Sequence, residues 1–143
     1  MQSQPIIRIA SAEDMDALAR LNALFNGSSD SGEALAARLA DPRRVETPII
    51  AEVDGQVIGF TALRVVPCLF YSAPHAELTE LFVEDAYRRR GIGKALIAYA
   101  VELAKQEGAK EMMVLTGLDN HEAQALYRTM GFEADDLDMD RPL

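Results

Sequence analysis

The feature that most constrains this chain is the junction between an apolar segment and a helical pattern at residues 81–104, LFVEDAYRRRGIGKALIAYAVELA. Three arginines precede Gly91-Ile92-Gly93-Lys94, although the whole chain has a formal net charge of -9. A helix N-terminus offers about four unpaired backbone N–H groups and a partial positive charge. Glycine lets the backbone approach a bulky anion, and arginine pairs with phosphate oxygens. The junction therefore predicts a pyrophosphate site.

Two familiar phosphate-binding loops do not fit this junction. The spacing G-x-x-x-x-G-K-[ST] is absent, and Gly91-Ile92-Gly93 continues as Lys-Ala-Leu, which does not complete G-x-G-x-x-G. An alternative interpretation is that the glycines only form a tight turn and the arginines are a solvated face. A local basic cluster in an acidic chain nevertheless favours an anionic ligand.

Length and composition narrow the class of protein. A chain of 143 residues suits one domain, 1–143, with one core. No run of about 18 apolar residues and no signal-like N-terminus is present, so we expect a cytoplasmic protein without a membrane span. The 23 acidic against 14 basic residues argue against a nucleic-acid binder. The single cysteine, Cys68, cannot form an internal disulfide, and no metal-type Cys/His spacing occurs.

The order of apolar patterns predicts a mixed α/β chain. Asp54-Gly55 between two apolar runs is typical of a type I′ hairpin turn. Ser11 and Asp14 form a capping box before a helix that Gly27 ends. We expect strands at 6–10, 48–53, 56–66, 75–83 and 111–116, with a final edge strand in DDLDMDR, 135–141. We expect the remaining helices at about 33–39, 91–107 and 120–130.

Two segments carry motifs in a recognisable order. Arg88, Gly91 and Gly93 fit [RQ]-x-x-G-x-[GA], and NHEAQALYRTMGFEA, 120–134, fits N-x-x-A-x-x-x-Y-x-x-x-G-F. Together they resemble the GNAT superfamily of acetyl-CoA-dependent N-acetyltransferases. The resemblance implies an α/β (α+β) fold with a mixed, mostly antiparallel central sheet. Helices flank both of its faces, and two parallel strands splay apart in a V.

The resemblance also implies where acetyl-CoA, the cosubstrate, binds. Backbone amides of the loop hold its pyrophosphate, while the preceding strand and Asn120 contact the pantetheine arm. Tyr127 stands near the sulfur. The implied binding residues are Leu81, Phe82, Val83, Arg88, Arg89, Arg90, Gly91, Ile92, Gly93, Lys94, Asn120 and Tyr127. From the residues alone, Asn120 could instead be only a helix N-cap, although Asp119 with Glu122 makes an equally good capping pair, and Tyr127 could be a core residue.

Acetyl transfer to an amine requires a base, because an alkylamine with a pKa near ~10 is mostly protonated at neutral pH. Glu80 and Glu77 are the candidate bases, and the Tyr127 hydroxyl is the candidate acid for the leaving thiolate. In an undistorted strand the two glutamates lie on opposite faces. A β-bulge between them would place them on the same face. Glu80 ranks slightly ahead because it is nearer the expected opening, and either could instead be a solvent-facing strand acid.

The expected function is N-acetyl transfer by direct attack in a ternary complex, since Cys68 lies in neither motif. The alternative is a noncatalytic acetyl-CoA-binding regulatory module, which would keep the loop but need neither Tyr127 nor an acid at 77 or 80. The acceptor is expected to be a small-molecule or peptide amine, and the resemblance makes a homodimer possible. The sequence does not define the acceptor further.

Overall fold

One five-stranded sheet organises the chain, in a computed structural model that describes residues 3–143. Its strands follow chain order as β1 (Ile6–Ile9), β2 (Glu46–Val53), β3 (Gln56–Val66), β4 (His75–Val83) and β5 (Met112–Val114). The helices are α1 (Met15–Asn26), α2 (Gly32–Leu39), α3 (Ile92–Gln106) and α4 (His121–Thr129). The first three strand pairs are antiparallel and β4 pairs with β5 in parallel, so the predicted fold class is confirmed.

The hairpin between β2 and β3 turns at the predicted dipeptide. Asp54 and Gly55 both have positive φ, 51° and 79°. Two consecutive positive φ values are what a type I′ turn requires, and its twist matches that of the strands it joins. The predicted hairpin is confirmed, with β2 starting two residues earlier than expected.

Helices cover both faces of the sheet and bury two separate apolar clusters. On one face α3 packs Leu96, Ile97 and Ala100 against the sheet, and all three are fully buried. On the other face α1 packs Leu18 and Leu21 against the sheet. The sheet is therefore the middle layer, and each face of a strand belongs to a different core.

A β-bulge in β4 decides which face its acidic residues occupy. Glu80 lies opposite Ala62 on β3, whereas the next β3 residue, Leu63, lies opposite Leu78, so Thr79 is an extra residue. Ala76 and Leu78 before the bulge and Leu81 and Val83 after it all contact the α3-side core. Glu77 and Glu80 therefore share the α1 face. The expectation for an undistorted strand does not apply, because the bulge changes the parity.

The two parallel strands separate after a short contact. β4 and β5 pair only through Ala76–Met112, Glu77–Met113 and Leu78–Val114. Beyond that point β5 ends while β4 continues to Val83. The sheet consequently opens in a V between the two strands, as expected, and β5 is shorter than the predicted 111–116.

The expected final edge strand is wrong. Residues 132–143 contain no regular secondary structure, and Leu137 and Met139 are 84% and 81% exposed. A strand needs a partner and a buried face, and two apolar side chains among five acids between 133 and 140 provide too little burial to overcome the repulsion. No helix of residues 3–143 is both long and apolar enough to cross a bilayer.

Replacing Leu21 with alanine should reduce the free energy of unfolding by about 2–5 kcal/mol, because this fully buried side chain joins α1 to the sheet. Leu24→Ala on the same helix is the matched control, since Leu24 is 61% exposed and should change stability by no more than about 0.5 kcal/mol. Urea denaturation of both variants measures the difference. Equal losses would contradict the assignment of Leu21 to the core.

Candidate active site

The loop between β4 and α3 presents a row of unpaired backbone donors. A short 3₁₀ turn, Asp85–Tyr87, follows β4, and Gly91 then caps α3 with a left-handed φ of 77°. Within residues 3–143, no backbone N–H from residue 89 to residue 94 donates to a carbonyl or side chain. These donors lie at the positive end of a helix dipole, which is the position expected of a phosphate site.

The three arginines of this loop have different surroundings. Arg88 donates through Nε to the Val83 carbonyl at 2.9 Å, pairs with Asp85 at 3.2 Å and covers the Phe82 ring. Its side chain therefore holds the loop against the end of β4. Arg90 lies over the Tyr87 ring. Neither Arg89 nor Arg90 has an ion-pair partner in the described part of the chain, so both are available to an anion.

The two glycines of the loop serve different purposes. A Cβ on Gly91 would meet no atom within 4 Å, so the positive φ is what requires glycine there. A Cβ on Gly93 would lie 3.3 Å from Cδ2 of Leu126, on α4. Gly93 therefore also permits the close packing of α4 on the start of α3. The sequence pattern predicts a role for both glycines in ligand approach and gives no sign of this packing role.

The V between β4 and β5 forms a cleft of about 270 Å³. Four predicted site residues line it together: Leu81, Asn120, Tyr127 and Glu80. Phe82 and Val83 do not line it with their side chains. Phe82 stacks on Phe25 at 5.2 Å between ring centroids, and Val83 belongs to the α3-side core.

Asn120 caps α4 and lines the cleft at the same time. Its Oδ1 accepts a hydrogen bond from the Ala123 amide at 3.1 Å, so the interpretation as a helix cap is correct. Its amide group donates to no atom of the described residues, which leaves the donor end of the side chain available to a ligand in the cleft.

Tyr127 is a core residue whose hydroxyl reaches the cleft. Its side chain is 8% exposed and its ring meets Phe132 edge-on at 5.7 Å. No side-chain hydrogen bond of residues 3–143 includes its hydroxyl, and no buried side-chain polar atom there lacks a partner, so the hydroxyl is accessible from the cleft that Tyr127 lines. Burial raises the pKa of the phenol, and the nearby charge of Glu80 raises it further. The phenol therefore stays protonated at neutral pH and can donate a proton.

Glu80 is the residue shared by two cavities. Besides the cleft, it lines a second cavity of about 360 Å³ between the sheet and the helices α1 and α2. Burial raises the pKa of its carboxyl group, Asn26 opposes this shift through a hydrogen bond, and the charge of Glu46 adds to it. A carboxylate with a raised pKa, placed between two cavities, is well suited to accept a proton.

Glu77 has different surroundings although the bulge places it on the same face. It is 6% exposed, forms an ion pair with Arg64 and lines neither cavity. A buried carboxylate held by an arginine partner suits a structural role. The geometry therefore favours Glu80 over Glu77 as the base.

The second cavity and Glu46 have no signal in the sequence. Glu46 begins β2 and Thr79 is the bulge residue, and their side chains meet at 2.6 Å from Thr79 Oγ1 to Glu46 Oε2. No motif includes either residue. Only the strand register brings them together, so pattern reasoning could not have placed them at a site.

The chain matches known proteins in sequence and structure. The model of the Acetyltransferase (GNAT) family matches residues 13–132. An uncharacterized N-acetyltransferase of Methanocaldococcus jannaschii is 38% identical over 88 residues, which cover 59% of this chain and 38% of that protein. The chain spans about two fifths of the length of the curated relatives it matches.

Two solved structures have the same fold. A putative acetyltransferase from Agrobacterium tumefaciens superposes with a TM-score of 0.86 at 26% identity, covering 96% of this chain and 99% of that one. An aminoglycoside N-acetyltransferase in complex with CoA superposes with a TM-score of 0.86 at 23% identity, covering 100% of this chain and 97% of that one.

Replacing Glu80 with glutamine should lower the pKa of Tyr127, because the carboxylate is one of the two causes that raise it. Absorbance titration of the phenol measures the shift, and subtracting the titration of Tyr127→Phe isolates this residue from the other three tyrosines. Glu102→Gln, on the exposed side of α3, is the control and should leave the pKa unchanged. An unshifted Tyr127 in the Glu80→Gln variant would contradict the proximity of the two groups.

Proposed function

Because the chain belongs to the acetyltransferase (GNAT) family, we propose that it transfers an acetyl group from acetyl-CoA to a primary amine. The amine attacks the thioester directly in a ternary complex. One observation carries the proposal: Glu80 lines both the cleft that Tyr127 lines and a second cavity, which can take an acceptor. The proposed base, Glu80, and the proposed acid, Tyr127, can thus act on the two sides of the acetyl group that is transferred.

The chain's own groups suit the cosubstrate. The unpaired amides from residue 89 to residue 94 hold the diphosphate, with Arg89 and Arg90 at its edge. Leu81 and the free amide group of Asn120 contact the pantetheine arm along the cleft. Beyond Leu78, β4 has no strand on its β5 side, so a backbone N–H near Phe82 or Val83 can stabilise the oxyanion.

Glu80 and Tyr127, whose pKa values are both raised, are the groups that transfer protons in this reaction. Glu80, directly or through water, removes the proton that keeps the amine from attacking, and its raised pKa makes it a stronger base. Nitrogen forms a bond to the acetyl carbon, the carbon–sulfur bond breaks, and the second proton that the nitrogen loses passes through water to restore the Tyr127 hydroxyl. Tyr127 donates its proton, or a hydrogen bond, to the leaving thiolate. The amide and free CoA are the products.

Incubating the protein with acetyl-CoA, a panel of amines and a thiol reagent tests the proposal, with calorimetry of CoA binding alongside. Amine-dependent release of CoA supports transfer. Tight CoA binding without release from any amine would instead indicate a noncatalytic acetyl-CoA-binding module. Absence of CoA binding by the folded protein would overturn both.

Tyr127→Phe should lower kcat by ~10²-fold or more, because the variant lacks the proton donor for the thiolate. The affinity for CoA should stay within a few-fold, since the ring and its contact with Phe132 remain. Steady-state kinetics and calorimetry separate the two quantities. An unchanged kcat would exclude Tyr127 as the acid.

Gly91→Val should weaken CoA binding at least about tenfold, because a β-branched residue cannot adopt a φ of 77° without strain and the loop amides would turn away from the diphosphate. Gly108→Val is the matched control. Gly108 also has a positive φ, 91°, but it lies beyond the opposite end of α3. Normal CoA affinity in Gly91→Val, or an equal loss in Gly108→Val, would contradict the role of this loop.

A further inference from the structure

The second cavity is built from the sheet and two helices. The sheet contributes Glu46 and Glu80 at two sides of an otherwise mainly apolar floor. α1 and α2 form the opposite wall, mainly with aliphatic side chains. The apolar lining residues are Met15, Leu18, Leu35, Leu39, Pro48, Phe60 and Ala62. A volume of about 360 Å³ lies near the lower end of the range for small-molecule sites, so the occupant has a small hydrocarbon body.

Neither carboxylate of this cavity has a cationic partner in residues 3–143. Glu46 and Glu80 are both partly buried and occur in none of the ion pairs there. The carboxylate of Glu46 accepts a hydrogen bond from the Thr79 hydroxyl, a neutral group. Like charges in a shared cavity raise each other's energy, and the charge of Glu46 does contribute to the raised pKa of Glu80.

The arginines around the cavity are occupied elsewhere. Arg64 lies opposite Glu46 in the register, but its guanidinium binds Glu77. Arg38 pairs with Asp30 at 2.7 Å. Arg44 also lines the cavity and is exposed; its guanidinium donates only to the carbonyl oxygens of Leu39 and Glu46, so it forms no ion pair with either carboxylate. Neither carboxylate on the floor of the cavity therefore has an ion-pair partner in the described residues, and a cationic ligand can provide one to each.

We propose that the acceptor is a small α,ω-diamine, with its reacting amine at Glu80 and its second ammonium group held by Glu46. This assignment rests on the proposed acetyl transfer and names the class of acceptor for it. A diamine places one positive charge at each carboxylate and its methylene chain against Phe60 and Ala62. A monoamine leaves one carboxylate uncompensated, and an amino acid adds a third negative charge.

The strand register limits the length of the diamine. Glu46 lies opposite Arg64 and Glu80 lies opposite Ala62 on the intervening β3, so their backbones are two strand spacings apart across the sheet and two residues apart along it, roughly 12 Å in all. The Glu46 carboxylate leans across β3 to reach Thr79, the neighbour of Glu80. The two carboxylates are thus closer together than their backbones, which favours a short diamine.

The test compares α,ω-diamines of increasing length with monoamines of equal length. For the wild-type protein, kcat/KM with acetyl-CoA should be at least about tenfold higher for the best diamine than for its matched monoamine. In Glu46→Gln this ratio should fall to about one. Glu102→Gln removes the same charge from the exposed side of α3 and should keep the wild-type ratio. A monoamine or amino acid used as well as the diamine, or a preference that survives in Glu46→Gln, would overturn the assignment.

Calorimetry of diamine binding, with and without CoA, tests the diamine site separately from the proposed acetyl transfer. Diamine binding that Glu46→Gln weakens about tenfold, without CoA release, would support the site and overturn the acetyl transfer. CoA release with equal rates for diamines and monoamines would support acetyl transfer and overturn the diamine site. If the wild-type protein binds no diamine either with or without CoA, the assignment of a diamine acceptor is wrong.

Discussion

The separation of β4 from β5 after three residue pairs is the constraint on which the rest of the structure depends. β4 keeps its pairing with β3 to the end, but beyond Leu78 its other edge has no strand beside it. An unpaired backbone group in a protein interior costs about 1–3 kcal/mol, so such an edge persists where another group can use it. The loop at 115–117 and α4 stand back from it and leave the cleft. The opening thus provides hydrogen-bonding backbone for an extended ligand arm.

The bulge at Thr79 places a carboxylate between this opening and the second cavity. It moves Glu80 to the face where α1 and α2 enclose the second cavity, while Leu81 still faces the α3-side core. A bulge disturbs the strand ladder, and the buried Thr61 hydroxyl donates to the Glu80 carbonyl at this point. Thr61 is fully buried in an apolar layer, and the bulge explains why a hydroxyl is needed there.

Local patterns in the sequence predicted the features that depend on neighbouring residues. The positive φ at Gly55 and the order of strands and helices follow from short-range turn and cap chemistry. The meeting of Glu46 with Thr79 depends instead on the register of three strands, which no local pattern records. The edge strand expected at 135–141 failed for a related reason, because alternation alone does not supply a partner. The sequence motif identifies the position of Arg88, but it does not predict the hydrogen bond that Arg88 donates to the Val83 carbonyl, because that bond depends on the folded loop.

Opposite charges at the two ends of the candidate site fit the two substrates proposed for this strongly acidic chain. Unpaired amides and arginines collect at the start of α3, whereas the carboxylates of Glu46 and Glu80 collect under α1 and α2. The proposed anionic cosubstrate and cationic acceptor would each be repelled from the other's end, which would penalise reversed binding without any additional contact. Glu80 lies where the two regions meet, so its charge is useful there only if no arginine neutralises it. The ion pair of Arg64 with Glu77 meets that condition by keeping the nearby guanidinium occupied.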